Sequence, residues 1–387
     1  MPAILYVLAF GAFALITTEL GIIGILPEIS RTLGISIQQA GWLLSGFALT
    51  VAMAGPWMVL LARWLDRKTS LCLVLAVFVA SNIGSALAPN FGWLLALRVL
   101  PAIVHPIFWS VAMTAAAQAV TKDHSSQAVS LVFAGMSAGI VLGIPIAAFV
   151  AGLAGWRAAF FVFAALNLAG LIAHVAILPS MPVTTPQSAG DQVSILRRPM
   201  LWWNLTVQVA LTAAVFSIYG YMAEYLGRVT GMGSALLSGM LFLFGGAGVL
   251  GTLVAGQLMG RDLTRTVYGF LVAMIPVLLL LFFLGGNRAA VIGVVVIWGL
   301  VHAAAVPLCQ ALVLRAAPEA PEFANSLFNS FGNIGITIGT TLGGIAIARW
   351  GIATLPLASI VILLAAALIF TAERGLYGSP SARVSHP

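Results

Sequence analysis

Ser130-Leu-Val-Phe-Ala-Gly-Met-Ser-Ala-Gly-Ile-Val-Leu-Gly-Ile-Pro145 occurs twice in this 387-residue chain. Its echo runs from Ser326 to Thr341: Ser130-Leu131 falls on Ser326-Leu327, Gly139 on Gly335 and Gly143 on Gly339, each pair 196 positions apart. Asp66 and Asp262 share that offset, His105 and His302 differ by 197, and Trp156 and Trp350 by 194. The chain reads as a duplication.

Working outward, 61% of the residues are hydrophobic and 7% charged, with a mean hydropathy of +1.10. Soluble domains carry about 25% charged residues, so the composition indicates an integral membrane protein. Only helices and closed barrels satisfy their backbone in hydrocarbon, and the long apolar runs lack the two-residue alternation of a barrel. Apolar runs fall at 4–26, 40–62, 71–88, 92–120, 128–151, 157–178, 201–226, 235–259, 267–284, 289–313, 325–348 and 354–372. These predict an all-α polytopic protein of twelve transmembrane helices in two six-helix repeats. The expected domains are a bundle over 1–178, a Pro-rich linker over 179–200, and a second bundle over 201–387 with a short tail.

The formal charge of +7 does not indicate nucleic acid, because the basic residues are scattered through short loops without a stripe or interleaved aromatics. They set topology instead. If the N-terminus is cytoplasmic, eleven basic residues, among them Arg63, Lys122 and Arg383, lie inside against five outside. The positive-inside rule then puts both termini and the linker in the cytoplasm. The first run lacks a basic leader and contains Glu19, which predicts a retained span rather than a signal peptide.

Twelve helices in two similar sixes resemble the major facilitator superfamily over nearly the whole chain. Thr17-Thr18-Glu19 on helix 1, Val104 to Ser110 on helix 4, Leu196-Arg197-Arg198-Pro199 before helix 7 and Gly245-Gly246-Ala247-Gly248 on helix 8 are similar to bacterial sugar-efflux transporters of the drug:proton antiporter branch. The resemblance implies proton-driven export of a small solute by alternating access. The family's loop between helices 2 and 3 keeps here only its central Asp66-Arg67, helix 4 keeps the arginine as Arg98, and helix 5 keeps Gly135, Gly139 and Gly143 with its proline at Pro145. Asp66, Arg67, Asp262 and this glycine-proline stretch are the implied gating residues.

Gly135-Met136-Ser137-Ala138-Gly139 also matches the Gly-x-Ser-x-Gly of hydrolases, but that elbow needs a strand and a sharp turn before its helix. A rival reading as a membrane-embedded hydrolase would rest on Ser137. Glycines at i, i+4 and i+8 instead make a close-packing helix face, either static or a surface on which helices 5 and 8, or 2 and 11, slide.

Glu19 lies about fifteen residues into helix 1, hence ~22 Å from its end at 1.5 Å per residue. A charge at mid-membrane costs about 2.5–3.5 kcal/mol, so this acid should face a polar interior and is the first candidate for proton coupling. Arg98, His105 and Trp109 share one face of helix 4, where the imidazole can exchange protons and the indole can stack on a solute. A lone membrane histidine is also often an interhelical hydrogen-bonder, but His302 at the repeat-equivalent place favours a pathway role, with Arg98, Trp109 and His302 lining the substrate cavity. Glu224 is a coupling site or an ion pair with Arg228 at i+4, and Tyr221 on its face is either a substrate-cavity residue or an interfacial anchor. Asn325, Asn329 and Asn333 recur at i+4 on helix 11, either lining a substrate cavity or gluing helices together.

No phosphate loop, His-Glu-x-x-His or Cys/His cluster occurs in the sequence, so no cofactor, metal or ATP engine is expected, and no enzyme activity. The expected partners are a small-molecule substrate, protons and the lipid bilayer, with no nucleic acid. The chain is expected to act as a monomer in a bacterial inner membrane. A uniporter or importer of the same fold is the alternative within transport.

Overall fold

A computed structural model describes residues 2–62, 65–121, 124–181, 194–318 and 321–377. Arg63, Lys122, Arg383 and the linker positions from 182 to 193 lie outside them. Among the described residues, twelve helices are long and apolar enough to cross a membrane. The first six are α1 (Ala3–Leu33), α2 (Ile37–Ala62), α3 (Arg67–Ala86), α4 (Phe91–Gln118), α5 (Ser125–Ala154) and α6 (Trp156–Ile177). The second six are α7a (Pro199–Tyr219) with α7b (Met222–Arg228), α8 (Ser234–Arg261), α9 (Leu263–Leu284), α10a (Arg288–His302) with α10b (Ala305–Ala316), α11 (Pro321–Trp350) and α12 (Leu355–Tyr377).

Three boundaries depart from the sequence pattern. The first helix continues through Pro27 to Leu33, where Gly34 takes a left-handed φ of 63° and ends it. The seventh breaks at Gly220-Tyr221 and the tenth at Ala303-Ala304; both stretches stay apolar across the break, so hydropathy carries no mark of it. Breaks are tolerated in a membrane when other groups take up the freed backbone. At the tenth helix Thr252 Oγ1 donates to the Ala303 carbonyl at 3.5 Å.

Helix pairing repeats between the halves. The pairs α1 with α5, α3 with α6, and α2 with α4 have as counterparts α7a with α11, α9 with α12, and α8 with α10a. The glycines explain the tightest of them, including α8 with α10a, where a β-carbon on Gly251 would lie 1.9 Å from the Leu300 carbonyl. A β-carbon on Gly139 would lie 2.9 Å from the Phe13 carbonyl, and one on Gly143 would lie 2.9 Å from Thr17 Cα. In the second half, Gly335 meets the Val209 carbonyl at 2.9 Å and Gly339 meets Ala213 at 2.4 Å. Both partners are displaced by the same 196 positions as the glycines. The Gly135–Gly143 stripe therefore faces α1 within its own half, not α8, and Ser137 sits inside an unbroken helix with no strand or elbow. Pro145 also lies inside α5.

The halves meet along α2 with α11 and α5 with α8, the two pairs expected from the small-residue patterns, and along α1 with α7b. Call the side where α1 begins the terminal face. The far face is closed: a β-carbon on Gly41 would lie 2.1 Å from the Tyr221 hydroxyl, and one on Gly152 2.8 Å from Ser234. Nearer the middle, Thr337 Oγ1 donates to the Ser45 carbonyl at 3.3 Å, and Gly245 admits Val141. Toward the terminal face, among the described residues, α4 and α10b have no extensive partner across the seam. Ser110, Thr114, Ser326 and Asn329 are exposed there, and polar side chains exposed within spans mark a cleft rather than a lipid face.

Gly135 tests this packing, since a β-carbon on it would lie 2.0 Å from the Ala9 carbonyl. Gly135→Ala must part α1 from α5, and overpacking of that kind costs about 1–3 kcal/mol. We expect a lower thermal unfolding midpoint in detergent for Gly135→Ala. Gly246→Ala, whose β-carbon would meet nothing within 4 Å, should match or exceed the wild type.

Candidate functional site

Glu19 is buried midway along α1, and α4 brings two basic groups to it. His105 Nε2 lies 3.1 Å from Glu19 Oε2. Arg98 is 1% exposed, and its guanidinium donates to the carbonyls of Thr18 at 2.9 Å and Glu19 at 3.1 Å while lying 4.7 Å from the Phe47 ring. The arginine thus holds the main chain of the acid, and the imidazole faces the carboxyl. The i, i+7 spacing that grouped Arg98 with His105 on one helical face sets this geometry.

The two threonines beside Glu19 are not its partners. Thr18 Oγ1 donates back to the Ala14 carbonyl at 3.1 Å and accepts from Asn167 Nδ2 at 2.8 Å, with Asn82 Nδ2 at 3.4 Å. Thr17 Oγ1 is buried without a partner. Asn82 and Asn167, which buttress α1 from α3 and α6, escaped the sequence reading. Their signal was there, since a lone amide inside an apolar run must find partners when buried.

Trp109, one turn along α4 toward the terminal face, donates its indole N–H to His105 Nε2 at 3.0 Å. It is half-buried, and Ser110 beside it is exposed to the cleft. Across the cleft Asn329 is exposed and Asn333 half-buried, its amide donating to the Asn329 carbonyl at 2.9 Å. Asn325 accepts from Gln310 Nε2 at 2.9 Å, so this member of the stripe ties α11 to α10b.

The remaining expected residues lie apart from this group. Tyr221 is a correction to the sequence reading: it does not line the cleft. It is 2% exposed and donates its hydroxyl to the Thr340 carbonyl at 2.8 Å in the far-face seal, because the helix break redirects the chain just before it. Glu224, on α7b in the same seal, is buried and ion-paired with Arg228, the i+4 alternative weighed for it. The ring of His302 packs among Tyr219, Phe244 and Trp298 at centroid distances of 4.5, 5.0 and 6.1 Å. Its Nδ1 is buried without a partner, and no acid faces it as Glu19 faces His105 among the described residues.

At the terminal face Asp66 caps α3 by accepting from Thr69 N at 3.1 Å. It also accepts from Ser180 Oγ at 2.9 Å and Met181 N at 2.6 Å, holding the chain just past α6. Burial alone would raise its pKa, but these hydrogen bonds outweigh it and hold the carboxyl below the ordinary range. The clamp is therefore present at neutral pH and is lost only as pH falls through that lowered value. Arg67 donates from its backbone to the Met181 carbonyl at 3.3 Å and from its side chain to Gln118. Asp262 caps α9 in the same way, accepting from Arg265 N at 3.0 Å.

Residues 8–340 match the Major Facilitator Superfamily. Over 372 residues the chain is 31% identical to the inner membrane transport protein YdhP of Escherichia coli K12, covering 96% of each. Its fold resembles that of a bacterial homologue of the human lysosomal transporter Spinster in an inward-facing, unoccupied conformation, with a TM-score of 0.80, 17% identity and 98% of both chains covered. It also resembles the nucleoside transporter NupG, with a TM-score of 0.69, 14% identity and 97% and 99% covered.

Arg98→Lys retains the charge but not the forked donor that spans the Thr18 and Glu19 carbonyls. Hydrogen bonds to charged groups contribute about 1.5–3 kcal/mol. The substitution is expected to lower unfolding stability in detergent by that amount, read from a denaturation midpoint at unchanged helix content.

Proposed function

Because the chain belongs to the major facilitator superfamily, and is therefore a secondary transporter and not an enzyme, we propose that it exports a small neutral or amphiphilic solute in exchange for protons. The solute is sugar- or drug-like, as in the drug:proton antiporter branch. The observation that carries this reading is the Glu19–His105 pair, a buried carboxyl and imidazole 3.1 Å apart. Such a pair holds one proton, as acid and imidazole or as an ion pair, with no net charge of its own until the proton is released. One proton moving inward is worth about 2.3 kcal/mol per 100 mV, which at 1.4 kcal/mol per tenfold sustains a solute gradient of about 40-fold.

The excess of basic residues on the terminal-face loops supports a cytoplasmic assignment of that face and of both termini, in a bacterial inner membrane like that of YdhP. The cleft then opens to the cytoplasm, and Asn329, Asn333 and Trp109 meet the solute. The two six-helix bundles rock about the α2–α11 and α5–α8 seams. Asp66, Arg67 and Asp262 brace the cytoplasmic ends, the glycine-packed α1–α5 pair moves as one body, and Glu224 holds the outer seal. The protein works as a monomer.

Two experiments decide this. In proteoliposomes screened with sugars, nucleosides and amphiphilic antibiotics, an accepted solute should move protons in the opposite direction. Glu19→Gln should abolish gradient-driven export while binding or passive exchange persists; export at the wild-type rate would refute the coupling site. Transport by the wild type that is indifferent to pH would favour a uniporter. Single cysteines placed between Pro179 and Pro199 should react with an impermeant thiol reagent only from the cytoplasmic side, and labelling from outside would invert the topology.

A further inference from the structure

His105 Nε2 is contested. Trp109 donates its indole N–H to this nitrogen at 3.0 Å, and Glu19 Oε2 lies 3.1 Å from the same atom. Nδ1 is buried with no partner. An imidazole nitrogen offers either one N–H or one lone pair, never both. While Trp109 donates, Nε2 carries no proton, and the carboxyl oxygen is held beside it only if Oε2 bears one, whose O–H then shares the single lone pair with the indole N–H as a three-centre bond. If that proton passes to Nε2, the N–H bond takes up the lone pair, the O–H electrons stay on the carboxylate, and the indole loses its acceptor. If the pair then loses a proton from Nδ1, the Glu19 proton stays on Nε2, Nε2–H faces the carboxylate, and the indole again lacks an acceptor.

Other groups packed around the imidazole do not blur this choice. The rings of Phe47 on α2 and Phe78 on α3 flank it at 5.6 and 6.2 Å. Helices α2 and α5 contain no acidic, basic or histidine residue, and α3 carries Arg67 and Lys68 only at its start. On α1, Glu28 and Arg31 lie at the far end and pair with each other. Arg98 is committed to two carbonyls, and His174 on α6 bonds the Gly170 carbonyl and reaches α4 only through Phe108.

Trp109 also stands at a boundary. Its ring packs both against the hydrophobic cluster confined to the first half and against the central cluster shared by both halves. We propose that Trp109 is a positioning residue that reads the proton on Glu19: its indole is clamped to His105 while Glu19 is protonated and released when the carboxyl ionises. Release frees a large ring at the mouth of the proton pair, where the two halves and the cleft converge, so the protonation state is written into the shape of the cleft. This rests on the reading of Glu19 as the coupling acid.

The test needs no solute. Full-length protein labelled with nitrogen-15 at the tryptophan indoles is titrated with protons alone in nanodiscs. The Trp109 signal is identified by its absence in Trp109→Phe and by loss of its bonded position in His105→Ala. In the wild type it should move from the bonded to the free position as pH rises; in Glu19→Gln it should stay bonded throughout. A signal that does not move in the wild type overturns the proposal. So does a transition that survives in Glu19→Gln, which would assign release to His105 alone. Coupled export by Glu19→Gln would instead remove the parent reading, whereas a silent indole with Glu19→Gln uncoupled leaves that reading standing and removes only the role of Trp109.

Discussion

Among the described residues, three helix pairs within the halves touch backbone to backbone, α5 on α1, α11 on α7a and α8 on α10a, and the first two, which correspond between the halves, organise the rest of the fold. In hydrocarbon there is little hydrophobic force between helices, so association depends on close packing and on hydrogen bonds. Glycine permits the first. With Gly139 and Gly143 against Phe13 and Thr17, and Gly335 and Gly339 against Val209 and Ala213, the two halves each have a glycine-packed pair at the matching place. The other four helices of the half assemble on it, and the register of α1 on α5 determines the height at which Glu19 meets α4.

Much of this was legible in the sequence because membrane segments obey few rules. Apolar runs of the right length identified twelve spans, and the 196-residue echo identified the repeat. The same echo, translated to the partners of the glycines, reproduces the contacts in space. What stayed hidden has a physical reason. The breaks at Gly220 and Ala303 leave the apolar composition unchanged, and at Ala303 the group that takes up the backbone, Thr252, comes from another helix. The glycine stripe announced a close neighbour without saying which, and the neighbour is α1. Tyr221 shared a helical face with Glu224 in sequence, and both lie in the far-face seal, outside the cleft.

The site was legible as a set of residues rather than as a mechanism. Glu19, Arg98 and His105 stand out because each is costly in lipid, and cost forces them inward and together. That Arg98 would hold main-chain carbonyls rather than the carboxylate does not follow from spacing. Nor does the contest for a single imidazole nitrogen, which depends on a side-chain rotation of Trp109 that helical periodicity leaves free.

The duplication is faithful in packing and broken in charge. At the offset of the repeat, Glu19 corresponds to Val215 and Arg98 to Val294, and of the pair on α4 only the histidine persists, as His302. Among the described residues, the buried carboxylates of the second half, Glu224 and Glu373, are each joined to an arginine, so they add no net charge. A transmembrane voltage acts only on net charge. With Glu19 in the coupling role proposed for it, the pull would vary with protonation in the first half alone, on α1 and α4, and the second half would be a load dragged through the α2–α11 and α5–α8 seams. In that sense one copy of the ancestral bundle has become the motor and the other the lever.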